Sequence, residues 1–229
     1  MNGSLTFEQV DKLSDDFASY LREEAGLKAG ERVAVQMPNC LSYPIVAFGV
    51  LKAGCVLVNT NPLYTQTEML HQFSDSGASA LVVVDMFADR LTGIIEKTKI
   101  KNVVTVSVSE FFPGPVAGII KLTQKYWSKT LPKITVEHTS FREALNLGKN
   151  ASANDKLAGY LETVGPDTVA ALQYTGGTTG VSKGAMLTHG NLVNNTLQMI
   201  SMCGSYMRPG AEIVLTALPL YHIFAFTVN

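Results

Sequence analysis

The chain is short of charge, of net charge of either sign, and of any apolar run long enough to cross a membrane. Only 16% of its 229 residues are charged, and 18 Lys and Arg against 19 Asp and Glu leave a formal net charge of −1. This balance excludes a globally basic nucleic-acid-binding protein, because neutralising phosphates requires clustered excess Lys and Arg. The densest apolar run, residues 41–51, is interrupted by Ser42 and Pro44 and falls short of the ~20 residues of a membrane-spanning helix.

Cysteine is also scarce. Cys40, Cys55 and Cys203 are odd in number and widely spaced, which argues against a disulfide framework or a metal site. The cysteines suit a reducing cytoplasm, and residues 1–12 lack the basic start and apolar core of a signal peptide. The 46% hydrophobic content excludes disorder, because such a chain can bury enough apolar surface to offset the entropy lost on folding.

Short β-rich runs alternate with helical patterns along the chain. The patterns predict strands over residues 32–37, 55–59, 80–85, 103–106, 168–174, 184–187 and 213–218. They predict helices over residues 7–21, 43–53, 65–73, 87–97 and 191–202. Thr6 with Gln9 and Thr65 with Glu68 match capping boxes, and Asn191 is interpreted as the N-cap of the last helix. Continuous Val, Ile and Leu strands between helices predict an α/β fold with mostly parallel sheets and helices on both faces.

The alternation loosens in the middle of the chain, where prolines and a polar stretch at residues 146–156 interrupt it. We therefore divide the chain into a first α/β subdomain (1–106), an insertion or connection (107–166) and the start of a second subdomain (167–229).

The most informative stretch is YTGGTTGVSKG at residues 174–184. Its glycines allow a tight turn, its hydroxyls are donors, and Lys183 adds a positive charge. Successive N–H groups, hydroxyls and a lysine after a strand favour a phosphate-binding loop over a plain hairpin. The spacing does not match a P-loop, because Val181 and Ser182 separate Gly180 from Lys183. It does not match a dinucleotide-binding fingerprint either.

The segment YTGGTTGVSKGAMLTHGNL, together with PLYHIFAF at residues 219–226 and LKAGCVLVNTNPLYT at residues 51–65, resembles the acyl-adenylate-forming (AMP-binding) superfamily. The four motifs NTNPLYT, YTGGTTG, KGAMLTH and ALPLYHIFA look most like bacterial long-chain fatty acid–CoA ligases, and the resemblance covers nearly the whole chain. One departure is Ser182, where many members have proline; it removes no phosphate ligand.

The resemblance implies an ATP-dependent, AMP-forming ligase that uses Mg²⁺ and converts a fatty acid into an acyl-adenylate and then a coenzyme A thioester. The family pattern assigns phosphate binding to Thr175, Gly176, Gly177, Thr178, Thr179, Gly180, Lys183 and Gly184. The family pattern also implies that Thr175 contacts the metal. It implies that Lys183 and His222 are catalytic residues. His222 would lie beside the acyl carboxylate and the α-phosphate.

Several single residues keep two interpretations. His222 lies in an apolar run and alone favours a buried core histidine, but its PLYH context favours the substrate role. Phe226 is either a gate of the acyl tunnel or one more core aromatic. His189 is assigned a structural role, and His71 and His138 are interpreted as surface or packing residues.

Residues 111–136 contain no acidic side chain, and lysines recur every four residues at positions 121, 125, 129 and 133. On a helical wheel Val116, Ile119, Ile120 and Trp127 fall opposite the lysines. A surface helix with a solvated lysine face is the commoner explanation of such a pattern. A helix lying on an anionic membrane is the other.

In the family, further parts of the metal, ribose and coenzyme A sites follow the last motif seen here. We therefore expect an incomplete N-terminal domain of an adenylate-forming enzyme that is inactive alone. The expected partners are ATP, fatty acid and coenzyme A, with no nucleic acid. Peripheral contact with the inner face of a membrane and homodimer formation are left open. The alternatives are a ligase for another carboxylic acid and a non-catalytic nucleotide- or acyl-binding module.

Overall fold

The computed structural model describes residues 3–128, 130–152, 156–175, 182–208 and 210–228. The helices are α1 (Phe7–Ser19), α2 (Ser42–Lys52), α3 (Gln66–Ser76), α4 (Gly114–Leu122), α5 (Phe141–Ser152), α6 (Leu157–Tyr160), α7 (His189–Cys203) and α8 (Ile223–Val228). The strands are β1 (Arg32–Gln36), β2 (Val56–Asn59), β3 (Ala80–Val84), β4 (Asn102–Val106), β5 (Thr139–Ser140), β6 (Val169–Thr175) and β7 (Lys183–Thr188).

The strands form one sheet in the order β5-β4-β3-β1-β2-β6-β7. Strands β1 to β6 pair in parallel, and β7 pairs antiparallel with β6. The predicted fold class is therefore confirmed. Because β6 joins the sheet beside β2, the end of β6 lies next to the end of a strand from the first third of the chain.

Alternate side chains of each strand enter two separate cores. Val33 and Val35 pack in the core that holds residues of α1, α2 and α5, whereas Ala34 between them packs in the core that holds residues of α3. This period of two is what a sheet covered on both faces requires, and it explains why apolar residues occupy successive positions in β1, β2, β3 and β4.

Local signals set the helix boundaries as predicted at two places. Thr6 and Thr65 each accept a hydrogen bond from the backbone N–H three residues on, and Gln9 and Glu68 complete the two capping boxes. Gly77 follows α3 in the left-handed conformation (φ 62°), which a residue with a side chain adopts only with strain.

Three predictions are wrong. Residues 87–97 do not form one helix: two 3₁₀ segments, Asp85–Leu91 and Ile95–Lys97, lie on either side of Gly93, which has φ 74°. Residues 213–218 form no strand, because within the described residues they have no neighbouring strand, and Ile213 is 96% exposed. The N-cap of α7 is Thr188, and Asn191 is the third residue of that helix, where its side chain completes a capping box.

The central segment contributes to the sheet. Strand β5 pairs with β4, and α5 packs on α1 through Phe141 against Phe17. The division of the chain into three parts stays a prediction. Within the described part of the chain, no helix has both the length and the apolar character needed to cross a bilayer.

Candidate functional site

The hairpin of β6 and β7 holds the ends of the predicted phosphate loop. Thr175 is the last residue of β6 and pairs directly with Lys183, the first residue of β7. Both side chains are exposed, so a hydroxyl and an ammonium stand side by side at the mouth of the loop. Gly176, Gly177, Thr178, Thr179 and Gly180 lie outside the described residues.

Gly184 makes close cross-strand packing possible. It pairs with Tyr174, and a Cβ at position 184 would lie 2.8 Å from Cε2 of the Tyr174 ring. The Tyr174 hydroxyl donates to Asp75 Oδ2 of α3 at 2.6 Å, which fixes the ring against the strand. Burial, assisted by this hydrogen bond, raises the pKa of Tyr174, so the phenol keeps its proton.

Helix α3 also holds the other end of the loop. His71 Nε2 lies 3.0 Å from the carbonyl oxygen of Ser182. A carbonyl oxygen only accepts, so Nε2 carries the proton and donates it. The sequence favours a surface or packing role for His71 and predicts no role for Asp75. Their contacts join residues 111 and 99 positions apart, and no local pattern could have indicated either one.

The second motif places His222 at the start of α8. The His222 backbone N–H donates to Pro219, and its carbonyl accepts from Phe226 N–H, so the residue closes a turn and begins the helix. The imidazole is exposed, which contradicts the core-histidine interpretation and leaves the ring accessible to a ligand. The role of His222 stays a prediction.

A buried row of hydrogen bonds connects the two motifs. The Tyr43 hydroxyl donates to Asn59 Oδ1 at 2.7 Å, and Asn59 Nδ2 approaches Gln173 Oε1 at 3.4 Å. Gln173 Nε2 then donates to the Tyr221 carbonyl oxygen at 3.2 Å. Gln173 lies two residues before Thr175 and Tyr221 directly precedes His222. Through this row, the strand that ends in Thr175 holds the backbone beside His222.

Asn39 holds the same motif from the other side. Its Nδ2 donates to the carbonyl oxygens of Thr216 at 3.2 Å and Leu218 at 2.8 Å, and its Oδ1 accepts from Leu220 N–H at 2.8 Å. The Tyr43 hydroxyl also lies 2.8 Å from the Leu220 carbonyl oxygen. The sequence predicts no role for Asn39, Tyr43, Asn59 or Gln173, because their contacts join positions 16 to 181 residues apart.

Phe226 is half-buried and lines an apolar cavity of about 360 Å³ between α2, α7 and α8. The other residues that line this cavity are Phe48, Leu51, Leu192, Val193, Thr196, Leu197 and Thr227. The lining is suited to an acyl chain. It is also compatible with the alternative of a core aromatic, so both interpretations of Phe226 stay open.

Among the described residues, no three His, Cys, Asp or Glu side chains come together as a metal site. The Thr175 hydroxyl is a hard oxygen ligand of the kind that Mg²⁺ accepts, and Mg²⁺ takes most of its remaining ligands from water and phosphates. The residues present therefore fit one protein contact to a nucleotide-bound Mg²⁺.

Burial lowers the pKa of His189, whose ring stays neutral near neutral pH.

The fold and the hairpin define an α/β protein whose second half carries a glycine- and hydroxyl-rich sequence between two paired strands. The model of the AMP-binding enzyme family matches residues 1–229, and the chain belongs to that family.

The curated relatives include bacterial long-chain-fatty-acid–CoA ligases. The chain is 43% identical to one from Escherichia coli O6:H1 over 231 residues, which are 100% of this chain and 40% of the relative. It is 35% identical to one from Bacillus subtilis, over 97% of this chain and 39% of the relative. The chain thus spans about 40% of the length of these relatives.

Solved structures show the same fold. A long-chain-fatty-acid-CoA ligase from Archaeoglobus fulgidus superimposes with a TM-score of 0.69 at 24% identity, over 100% of this chain and 38% of the other. ATP-bound MatB from Rhodopseudomonas palustris gives a TM-score of 0.69 at 23% identity, over 98% of this chain and 37% of the other.

Proposed function

We propose that this chain is the ATP-phosphate-binding and acyl-binding part of an AMP-forming long-chain fatty acid–CoA ligase. The observation that carries the proposal is the Thr175–Lys183 pair at the mouth of the loop in a chain that the family model matches throughout. The fatty acid is favoured as the substrate because the 43% identical relatives are named for it. The apolar cavity beside Phe226 supports it.

In the proposed reaction an oxygen of the fatty-acid carboxylate attacks the α-phosphorus of ATP, and pyrophosphate leaves with the bonding electrons. The thiolate of coenzyme A then attacks the acyl carbon, forms the thioester and releases AMP. The first step brings two anions together, so catalysis depends on positioning and on neutralising charge.

Residues of this chain supply both effects in the proposal. Lys183 and the loop between Thr175 and Gly184 hold the β- and γ-phosphates, and Thr175 gives one oxygen to Mg²⁺, which neutralises phosphate charge when bound. His222 orients the carboxylate beside the α-phosphate. The row from Tyr43 to Gln173 fixes the backbone that carries His222. Gly176, Gly177, Thr178, Thr179 and Gly180 complete the phosphate site.

The proposed protein is cytoplasmic, and peripheral contact with the inner face of a membrane and homodimer formation stay open alternatives. The three cysteines are unpaired, which suits a reducing compartment.

Nucleotide binding is tested on the chain itself by equilibrium dialysis with ATP and with pyrophosphate. We expect weak binding of both, reduced about tenfold or more in Lys183→Ala, because a charge-assisted contact to phosphate is lost. Lys97→Ala, at another exposed lysine, is the matched control and should bind as the unchanged chain does. Equal affinity in Lys183→Ala would contradict the phosphate site.

Catalysis is tested on the longer protein that carries this chain, by measuring AMP and acyl-CoA formed from palmitate and from an aryl acid. We expect palmitate to be preferred, and His222→Ala to lower kcat while the protein stays folded. Preference for the aryl acid would support the other-acid ligase. Nucleotide binding without turnover of either acid would support the non-catalytic module.

A second test concerns the chain alone. Release of pyrophosphate on adding ATP and palmitate would contradict the expected inactivity of the chain.

A further inference from the structure

Helix α4 and the wider π-helical turn that extends it (Thr123–Trp127) lie on the surface, and none of their residues is buried. One side, with Val116 and Ile120, is half-buried against the domain. The other side faces solvent and is also apolar. We name it the outer stripe; it consists of Ile119 (65% exposed), Leu122 (59%), Tyr126 (67%) and Trp127 (88%).

The structure divides the apolar face that the helical wheel predicts. Val116, Ile119, Ile120 and Trp127 share one face on the wheel, but Ile120 lines a cavity with Leu41 and Phe111 while Ile119 points outward. The half-buried side accounts for the attachment of α4 to the domain. It leaves the outer stripe unexplained, since four large apolar side chains in a row are costly to hold in water.

Positive charge is concentrated along the same element. Lys121, Lys125 and Lys133 are exposed and line one cavity of about 510 Å³ beside the helix. Within the described part of the chain, no carboxylate lies in ion-pair contact with any of the three. Lys125 Nζ lies 5.3 Å from the ring centroid of Tyr126, so the positive charge of Lys125 lies next to the outer stripe.

Two carboxyl groups, those of Glu110 and Asp85, also line that cavity beside the three lysines. Glu110 accepts a hydrogen bond from Arg142 Nε at 2.8 Å, so its charge is already paired. Burial raises the pKa of Asp85, although hydrogen bonds from Ser107 and Met86 and the nearby positive charge of Lys121 oppose the rise. Three lysines thus stand against two carboxyls in this cavity, one of them paired with Arg142, and residues 111–136 add no acidic side chain.

We propose that the outer stripe is the surface by which this protein lies on an anionic lipid bilayer. Ile119, Leu122 and Trp127 enter the boundary between headgroups and acyl chains, and Lys121 and Lys125 pair with lipid phosphates. Lipid is the occupant chosen because apolar side chains flanked by unpaired lysines complement a negatively charged apolar interface. The inference rests on the proposed function, since it assigns residues to the peripheral membrane contact left open there.

Trp127 makes the test direct, because it is the only tryptophan in the chain. Its side chain is 88% exposed, so its fluorescence maximum shifts to shorter wavelength if it enters lipid. The chain is titrated with phosphatidylcholine vesicles, with and without phosphatidylglycerol, and sedimented. We expect a blue shift and co-sedimentation with the anionic vesicles, and reversal of both at high salt because salt screens the lysine–phosphate attraction.

Two variants and two matched controls locate the surface. Leu122→Glu, and Lys121→Glu with Lys125→Glu, should each lower the vesicle partition coefficient about tenfold or more. Leu215→Glu, at an exposed leucine outside the stripe, and Lys97→Glu with Lys99→Glu should leave it unchanged.

No blue shift with anionic vesicles would overturn the inference. So would binding that survives both stripe variants, or a dimer that Leu122→Glu dissociates in a chain that binds no lipid. None of these readouts uses ATP, coenzyme A or turnover. Failure of the membrane surface is therefore distinguishable from failure of the proposed ligase activity.

Discussion

At the residue scale, Gly184 is the position where the hairpin leaves no room for a side chain. In Gly184→Ala the new Cβ would lie 2.8 Å from Tyr174 Cε2 and 3.0 Å from Cζ. The ring cannot swing away freely, because its hydroxyl is bonded to Asp75. We expect the free energy of unfolding, measured with urea, to fall by about 1–3 kcal/mol.

Gly159→Ala is the matched control for that substitution. A Cβ at this position of α6 meets no heavy atom within 4 Å, so Ala fits and should stabilise the helix by about 0.5–1 kcal/mol. A Gly184→Ala chain that is as stable as Gly159→Ala would show that Tyr174 does not pack across the hairpin as described.

Tyr43 tests the buried row that connects the two motifs. Tyr43→Phe removes the hydroxyl and leaves Asn59 Oδ1 buried without its donor. We expect the free energy of unfolding to fall by about 1–3 kcal/mol, because an unsatisfied buried acceptor loses its hydration without compensation. Tyr206→Phe, at a tyrosine that is 88% exposed, should be neutral in the same urea titration. Equal stability of both variants would argue against the row.

At the scale of elements, local sequence signals predicted helix starts and most strands correctly, whereas contacts between distant parts of the chain could not be predicted from the sequence. The capping boxes at Thr6 and Thr65 and the apolar strands depend on neighbours in sequence, and both are present. Residues 213–218 have the composition of a strand, but a strand also needs a hydrogen-bonding neighbour. The described residues provide none. A β-rich run alone therefore could not decide the structure there.

The same distinction applies to the candidate site. The spacing of glycines, hydroxyls and Lys183 predicted a loop between two strands, and β6 and β7 flank it. The residues that hold the loop and the second motif are scattered over the chain, as with Asn39 and Leu218, which are 179 positions apart. Only folding brings them together; Asn59 lies in the NTNPLYT motif, but the motif does not indicate its contacts with Tyr43 and Gln173.

Helix α3 gives a prediction at this scale, because His71 holds the end of the loop through Ser182. In His71→Ala we expect the amides at the start of β7 to exchange hydrogen about fivefold faster, since a hydrogen bond contributes about 1 kcal/mol. Hydrogen exchange detected by mass spectrometry measures this. His138→Ala is the matched control, because that ring is exposed and bonds to the nearby Val136 carbonyl. Unchanged exchange in β7 of His71→Ala would contradict the anchoring role.

For the whole molecule, the burial of groups that lose a proton at high pH determines how the free energy of unfolding changes with pH in the alkaline range. Burial raises the pKa of the Cys55 thiol from 9.0 to about 12, and Cys55 is 1% exposed. Burial raises the pKa of Tyr160 to about 12, and it raises that of Tyr43 as well. The unfolded chain releases these protons at their ordinary values, whereas the folded chain keeps them.

The folded state therefore binds more protons than the unfolded state above about pH 9, so the free energy of unfolding must fall as the pH rises. Cys55 alone contributes a slope of up to about 1.4 kcal/mol per pH unit between its two pKa values, and Tyr43 adds to it above its ordinary pKa. Urea midpoints measured from about pH 8 to about pH 11 should fall throughout. In Cys55→Ala the decline should be shallower, even if the variant is less stable at neutral pH. An unchanged slope in that variant would show that the thiol is not protected by burial.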